Sequence, residues 1–194
     1  MSEERLFRAI DRSDEELMAA FQQGDLSAFD ALYRRYDPRL RSFFISLGHR
    51  QDAAEDLAQE TFCRVIGAKG QFDRDLGCFA QWIFGIAHNK RLGLFRRFTS
   101  TAKMLVRYAA TAIQEEMPAP LVDERFLVEE CLSLLTDIDR TIIELTIFQG
   151  FTLIEVSRII NMPPGTIGRR KVAAIAKLRR KLEVQPRPAP ETFL

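Results

Sequence analysis

Residues 152–167 constrain the fold of this chain more tightly than any other stretch. Thr152 and Glu155 form a capping box, each side chain answering the other's free backbone N–H, which sets where a helix begins. Asn161 suits a left-handed helix exit, Pro163 and Pro164 forbid continuation, and Gly165 allows a tight turn before Thr166 opens the next helix. A short helix, a tight turn and a second helix make the geometry that sets a helix N-terminus into a major groove. On the second helix Ile167, Ala174, Ile175, Leu178 and Leu182 form a stripe expected to be buried. Arg169, Arg170, Lys177, Arg180 and Lys181 lie on the other side, and Arg169 and Arg170 are nearest the end that meets base edges.

The remainder reads as helices. Ser13 to Glu16 is another capping box, with Leu17, Ala20 and Phe21 following at helical spacing until Gly24. Ser27 is positioned to cap a second helix carrying Phe29, Leu32, Tyr33 and Tyr36; Pro38 interrupts that pattern before Leu40, Phe43, Phe44 and Leu47 resume it. Further helices are expected over 52–68 and 79–98, the two separated by a loop around residues 73–77. After a weakly periodic stretch with Pro118 and Pro120, helices are expected over 126–135, 139–149, 153–160 and 166–182. A short helix is allowed at 102–112. This is an all-α chain of two helical bundles: residues 1–98, a linker at 99–121, residues 122–184, and a proline-rich tail at 185–194 expected to be disordered.

Charge gives the bundles their character. Asp52, Glu55, Asp56, Gln59 and Glu60 share one face of the 52–68 helix, while Ala54, Leu57, Ala58, Thr61 and Val65 share the other. No Lys or Arg stands among those acids, so the face asks for a basic partner. From Gly77 to Gln114 there is no acid, while Lys90, Arg91, Arg96 and Arg97 accumulate; from Met162 to Leu182 there is none against seven Lys or Arg. The formal net charge of +1 conceals this segregation. Cys63, Cys78 and Cys131 are three and far apart, which argues against a disulfide framework or a zinc site and fits a reducing cytoplasm. No apolar run approaches the roughly 18 residues of a membrane span, and no cofactor motif is present.

These residues resemble bacterial sigma factors of the extracytoplasmic-function group, which carry only the second and fourth conserved regions of the sigma-70 family. Asp56-Leu57 and Gln59-Glu60-Thr61-Phe62, then Phe72-Asp73, Phe79-Ala80-Gln81-Trp82-Ile83 and Ile86-Ala87-His88-Asn89, are similar to region two. Residues 150–155 and 162–167 are similar to region four. The resemblance spans most of residues 13–182. It implies a promoter-specificity subunit that binds core RNA polymerase, catalyses nothing itself and needs no cofactor. By the resemblance, Asp52, Glu55, Asp56, Gln59 and Glu60 meet the β′ clamp helices, with Cys63 and Ile66 as an apolar extension of that surface. It further implies contact of region four with the β flap, and control by an anti-sigma protein without membrane insertion.

The resemblance also assigns the −10 element to the loop at 72–79 and the helix after it. A captured base needs an aromatic or apolar pocket with polar groups at its edge, and single strands favour basic grooves with aromatic faces. Phe72, Phe79, Phe84, His88, Asn89, Arg91, Phe95, Arg96 and Arg97 are the residues so assigned, with Phe84, His88, Arg91 and Phe95 aligned outward. Trp82, Ile83 and Ile86 are expected in the core with Phe79. For the −35 duplex the candidates are Thr166, Arg169, Arg170, Lys171, Val172 and Lys177. The recognition helix departs from the family, which commonly keeps an apolar residue at Lys171, basic ones at Ala173 and Ile175, and a polar one at Gly168.

Two other classes compete. A self-sufficient helix-turn-helix regulator with a sensing or dimerising N-terminal bundle predicts a homodimer on a palindromic site, and leaves the acidic face unexplained. An enzyme using Asp52, Glu55 and Asp56 as metal ligands lacks histidine partners or a second carboxylate helix.

Overall fold

The structure, a computed structural model, describes residues 12–91 and 134–184, all helices and connecting turns. Phe95, Arg96, Arg97, Cys131, the expected linker and the tail lie outside these residues. Helix α1 spans Asp14–Gln22 and starts at the expected capping box, with Ser13 N–H donating to Glu16 Oε2 at 2.8 Å and Glu16 N–H to Ser13 Oγ at 3.2 Å. Helix α2 spans Leu26–Ser46. Its cap is Asp25 rather than Ser27: the Asp25 carboxylate accepts from the Ser27 N–H at 3.0 Å and from its hydroxyl at 2.6 Å.

Pro38 does not interrupt α2. A proline inside a helix costs about 3 kcal/mol through a lost hydrogen bond and a clash one turn back. Here Pro38 and Arg34, whose carbonyl is freed, both face solvent, so water can take that carbonyl. The opposite stripe of Leu32, Tyr36, Leu40, Phe43 and Phe44 is buried throughout and holds both halves in line. Each such side chain contributes roughly 1.5–3 kcal/mol, enough together to outweigh the proline.

Helix α3 spans Gln51–Gly67, and a 3₁₀ turn at Lys69–Gln71 leads into the loop before α4, which is helical over residues 79–91. Helices α1 to α4 close around Leu17, Met18, Phe21, Leu32, Tyr36, Phe43, Leu57, Phe62, Phe79 and Ile83. The buried Tyr36 hydroxyl donates to Asp14, whose other carboxylate oxygen pairs with Arg35 at 2.7 Å. Burial and that carboxylate push the phenol well above its ordinary range.

The second unit starts with α5 at Asp137–Ile143, which widens into a π-type turn over Glu144–Phe148. Helix α6 spans Leu153–Ile160 and α7 spans Pro164–Val184. Helix α7 starts at Pro164, earlier than the expected Thr166. A proline suits the first helical position, where its missing N–H would have had no partner. Leu182 is exposed rather than part of the buried stripe, which among the described residues ends with Leu178 packed beside Ala174.

The two expected bundles are present, and their apolar cores are continuous. Ile142, Leu145, Phe151, Val156, Ile159, Ile160 and Ile167 belong to the same buried cluster as Phe84 and Phe43. Around this apolar junction run polar links. Arg39 Nε donates to Gln149 Oε1 at 3.1 Å, and Gln149 Nε2 donates to Glu144 Oε1 at 3.1 Å. Arg91 pairs with Asp137 at 3.0 Å. Glu144 is buried, and desolvation raises its pKa despite hydrogen bonds from Gln149 and Ser46.

Candidate functional site

Helix α3 has the two faces its sequence requires. Ala54, Leu57, Ala58, Thr61, Phe62 and Val65 are buried, and the Thr61 hydroxyl is satisfied by the Leu57 carbonyl at 2.7 Å. Asp52, Asp56, Gln59, Glu60, Cys63 and Ile66 are exposed and Glu55 is half-buried, so a single ridge presents four carboxylates followed by a sulfur and a branched aliphatic side chain. The ridge is not without counter-charges, as its own helix suggested. Arg41 reaches Glu55 at 2.8 Å, Lys90 reaches Glu60 at 3.2 Å and Arg50 stands 3.6 Å from Asp52. Arg41 and Lys90 arrive from α2 and α4, which spacing along α3 does not reveal. Exposed pairs of this kind are worth about 0–1 kcal/mol each and exchange readily for a better partner. Asp56 has no ion pair among the described residues.

A cleft of about 310 Å³ lies where the loop after α3 meets α4. Phe72, Leu76, Trp82 and Ile86 supply apolar walls, Gln81 and Asn89 supply hydrogen-bonding groups, and Arg158 lines it from α6. The Phe72 and Trp82 rings lie 5.4 Å apart. An Asx turn shapes the loop, the Asp75 N–H donating to Asp73 Oδ1 at 2.9 Å. Gly77 lets the Gln81 side chain lie close against the loop: a Cβ there would stand 2.8 Å from Gln81 Oε1 and push that side chain aside.

This reverses part of the expected orientation of α4. Phe84, His88 and Arg91, assigned outward, are buried at 0%, 4% and 7% exposure. Phe84 packs on Phe151 and Arg91 on Asp137 of the second unit. Burial, with the Arg91 charge, lowers the His88 pKa to about 4. Phe79 is a core residue edge-on to Tyr36, and Phe72 is largely buried at the rim of the cleft. Trp82 and Ile86, assigned to the core, are half-buried: both pack against that core, and their remaining surface lines the cleft beside the exposed Asn89. The physical reason is that α4 is apolar on two sides. One packs into its own bundle and the other is covered by the second unit, leaving a third strip at the cleft.

The helix-turn-helix forms as its punctuation dictates. The Thr152 N–H donates to Glu155 Oε2 at 2.8 Å and the Glu155 N–H to Thr152 Oγ1 at 3.3 Å; the first of these lowers the Glu155 pKa. Asn161 adopts φ +53°, the left-handed exit. Gly168 is the packing point of α7 on α6, where a Cβ would sit 3.4 Å from Leu153 Cδ1. Arg169 is exposed, as are Val172, Ala173 and Lys177; Thr166 and Lys171 are half-buried. Arg170 is not a free reader. Its Nε lies 2.8 Å from Asp139 Oδ1 and its terminal nitrogen donates to Thr136 Oγ1 at 3.1 Å, tying α7 to the start of α5.

An acidic exposed ridge, an aromatic cleft and a basic helix-turn-helix on one all-helical chain are the features expected of a two-region sigma factor. The chain's relatives are consistent with that class. A family model described as sigma-70 region 2 matches residues 32–101, and one described as sigma-70 region 4 matches residues 131–180. The ECF RNA polymerase sigma factor SigK of Mycobacterium tuberculosis (strain ATCC 25618 / H37Rv) is 30% identical over 165 residues, 82% of this chain and 88% of that protein. SigK of Mycobacterium sp. (strain KMS) is 25% identical over 168 residues, 84% of this chain and 87% of that protein. The sigma factor RpoE from Bartonella quintana, solved with the anti-sigma factor NepR, superposes with a TM-score of 0.66 at 26% identity, covering 81% of this chain and 98% of that one. CnrH, solved with the cytosolic domain of CnrY, gives a TM-score of 0.68 at 25% identity, covering 90% and 100%. The chain therefore belongs to the extracytoplasmic-function sigma factors, which direct RNA polymerase to promoters.

Proposed function

We propose that the α3 ridge of Asp52, Glu55, Asp56, Gln59 and Glu60, extended by Cys63 and Ile66, is the surface that binds the β′ clamp helices of core RNA polymerase. The observation that carries this reading is the exposure of the ridge, whose counter-ions are few and only partly buried. A basic coiled coil would displace Arg41 and Lys90 at little cost and cover Ile66. The cleft beside α4 would receive a base of the −10 strand, with Trp82 and Phe72 offering aromatic surface and Gln81 and Asn89 meeting its polar edge. Helix α7 would enter the −35 major groove, with region four also meeting the β flap. On this reading the chain binds and positions, and the polymerase supplies all catalysis and cofactors. The domain limits that go with it are 1–98, a linker at 99–121, and 122–184, with a tail at 185–194.

Elements 25 base pairs apart are separated by roughly 85 Å of duplex at about 3.4 Å per pair. The two units touch at Phe84 and Phe151, and Arg158 lines the −10 cleft. Both elements can be occupied only after the units part, so the arrangement described is the one that precedes promoter engagement. The structural relative captured with an anti-sigma factor supports a partner of that kind here. The autonomous-regulator alternative has no observation in its favour. Run-off transcription with purified core polymerase tests the proposal: promoter-specific transcripts that depend on this chain are expected. A chain that footprints DNA alone and never yields such transcripts would overturn it.

A further inference from the structure

The outward face of α7 has an unusual composition for a helix so rich in cations. Arg170 is held by Asp139 and Thr136, and Lys171 is half-buried beside the packing stripe. Lys177 is exposed, but it stands 13 residues beyond Pro164, about 20 Å along the axis at 1.5 Å per residue, where phosphates rather than base edges are in reach. Arg169, Val172, Ala173 and Ala176 recur at the three- and four-residue spacing that aligns side chains along one face. Val172 is 68% exposed, an apolar group displayed on a face otherwise surrounded by cations. Gly165, exposed in the first turn, adds no side chain to compete for the groove. One guanidinium is thus followed by methyl groups.

We propose that this region four reads its upstream element through a single guanine bound by Arg169 and through thymine methyl groups packed on Val172 and Ala173. The inference rests on α7 being the −35 helix and goes beyond it, by specifying the chemistry of the sequence it selects. Arginine meets guanine O6 and N7 together, and in the major groove the C5-methyl marks thymine among the bases. Arg169 and Val172 are three residues apart, about 4.5 Å along the helix. They therefore address the same or neighbouring base-pair steps. The Val172 isopropyl group offers the thymine methyl a dispersion surface that water does not. Burying one methyl is worth about a fourfold change in affinity.

The test uses holoenzyme assembled from the full chain and core polymerase to enrich duplexes from a random library. Each thymine in the enriched upstream motif is then replaced by uracil, which lacks only the methyl. A motif with one guanine beside thymines is expected, with two- to fivefold weaker binding per critical uracil. Val172→Ala should abolish the thymine–uracil difference at one position, while Arg169→Ala relaxes the guanine alone. Equal binding to uracil and thymine duplexes would overturn the proposal. So would a motif of several guanines whose selection is lost in Arg170→Ala. If holoenzyme transcribes but enriches no upstream sequence, the −35 assignment of α7 fails and this inference fails with it.

Discussion

Phe84 of α4 and Phe151, which precedes α6, meet edge to face with ring centroids 5.4 Å apart and planes at 74°. Both rings are buried, and Phe84 also meets Phe43 edge-on at 5.3 Å. The pair makes one apolar core out of what the order of helices presents as two.

Replacing Phe151 by alanine should therefore uncouple the units as well as weaken them. Core phenylalanine truncations typically cost about 3–5 kcal/mol. The expected calorimetric result for Phe151→Ala is a split of one unfolding transition into two, the second unit melting first. A single transition merely shifted downward would show that the junction does not set cooperativity.

Acid should also loosen the junction. The His88 pKa falls from 6.5 in the unfolded chain to about 4 in the fold, so its contribution is fully present above pH 6.5. It is lost as pH falls toward 4, because the unfolded chain binds the proton more readily. The full span corresponds to about 3 kcal/mol. Glu144, whose pKa is raised by burial, works in the opposite direction and softens the net slope. Thermal melts between pH 7.5 and 5 should show a fall in stability that His88→Asn reduces. An identical fall in that variant would assign the acid sensitivity elsewhere.

Arg169 and Arg170 are adjacent, yet their variants should behave differently. Arg170→Ala leaves the buried Asp139 without its cation and should cost roughly 2 kcal/mol of stability. Arg169→Ala should leave the melting temperature unchanged while weakening binding to upstream duplex. Melts and duplex binding on the same preparations check both; a DNA-only effect of Arg170→Ala would contradict the tie to Asp139.

Spin labels at Asn89 and Arg169 should report the parting of the two units. A short distance is expected in the free chain and a gain of tens of ångströms in a promoter-bound holoenzyme. An unchanged distance would mean that both elements are reached without separation.

Local chemistry wrote most of this fold legibly. The capping boxes at Ser13–Glu16 and Thr152–Glu155 and the left-handed Asn161 stand where side-chain and backbone rules put them. So does the two-faced α3, because a helix fixes which of its own residues share a side. Long-range facts were not legible. Phe84 and His88 looked like surface, since α4 has more than one apolar side and spacing cannot tell which neighbour covers each. Arg170 looked like a reader because Asp139 and Thr136 are more than thirty residues away. Gln81 and Trp82 were missed as cleft residues for the same reason; the polar Gln81 within an aromatic motif was the available signal.

Binding of core RNA polymerase to ridge variants tests the central claim most directly. Asp56→Lys and Glu60→Lys alter only exposed side chains, so circular dichroism should be unchanged. Each should weaken binding by roughly tenfold or more at low ionic strength, with the loss shrinking as salt screens the field. Wild-type affinity in the double variant, with the helices intact, would contradict the account.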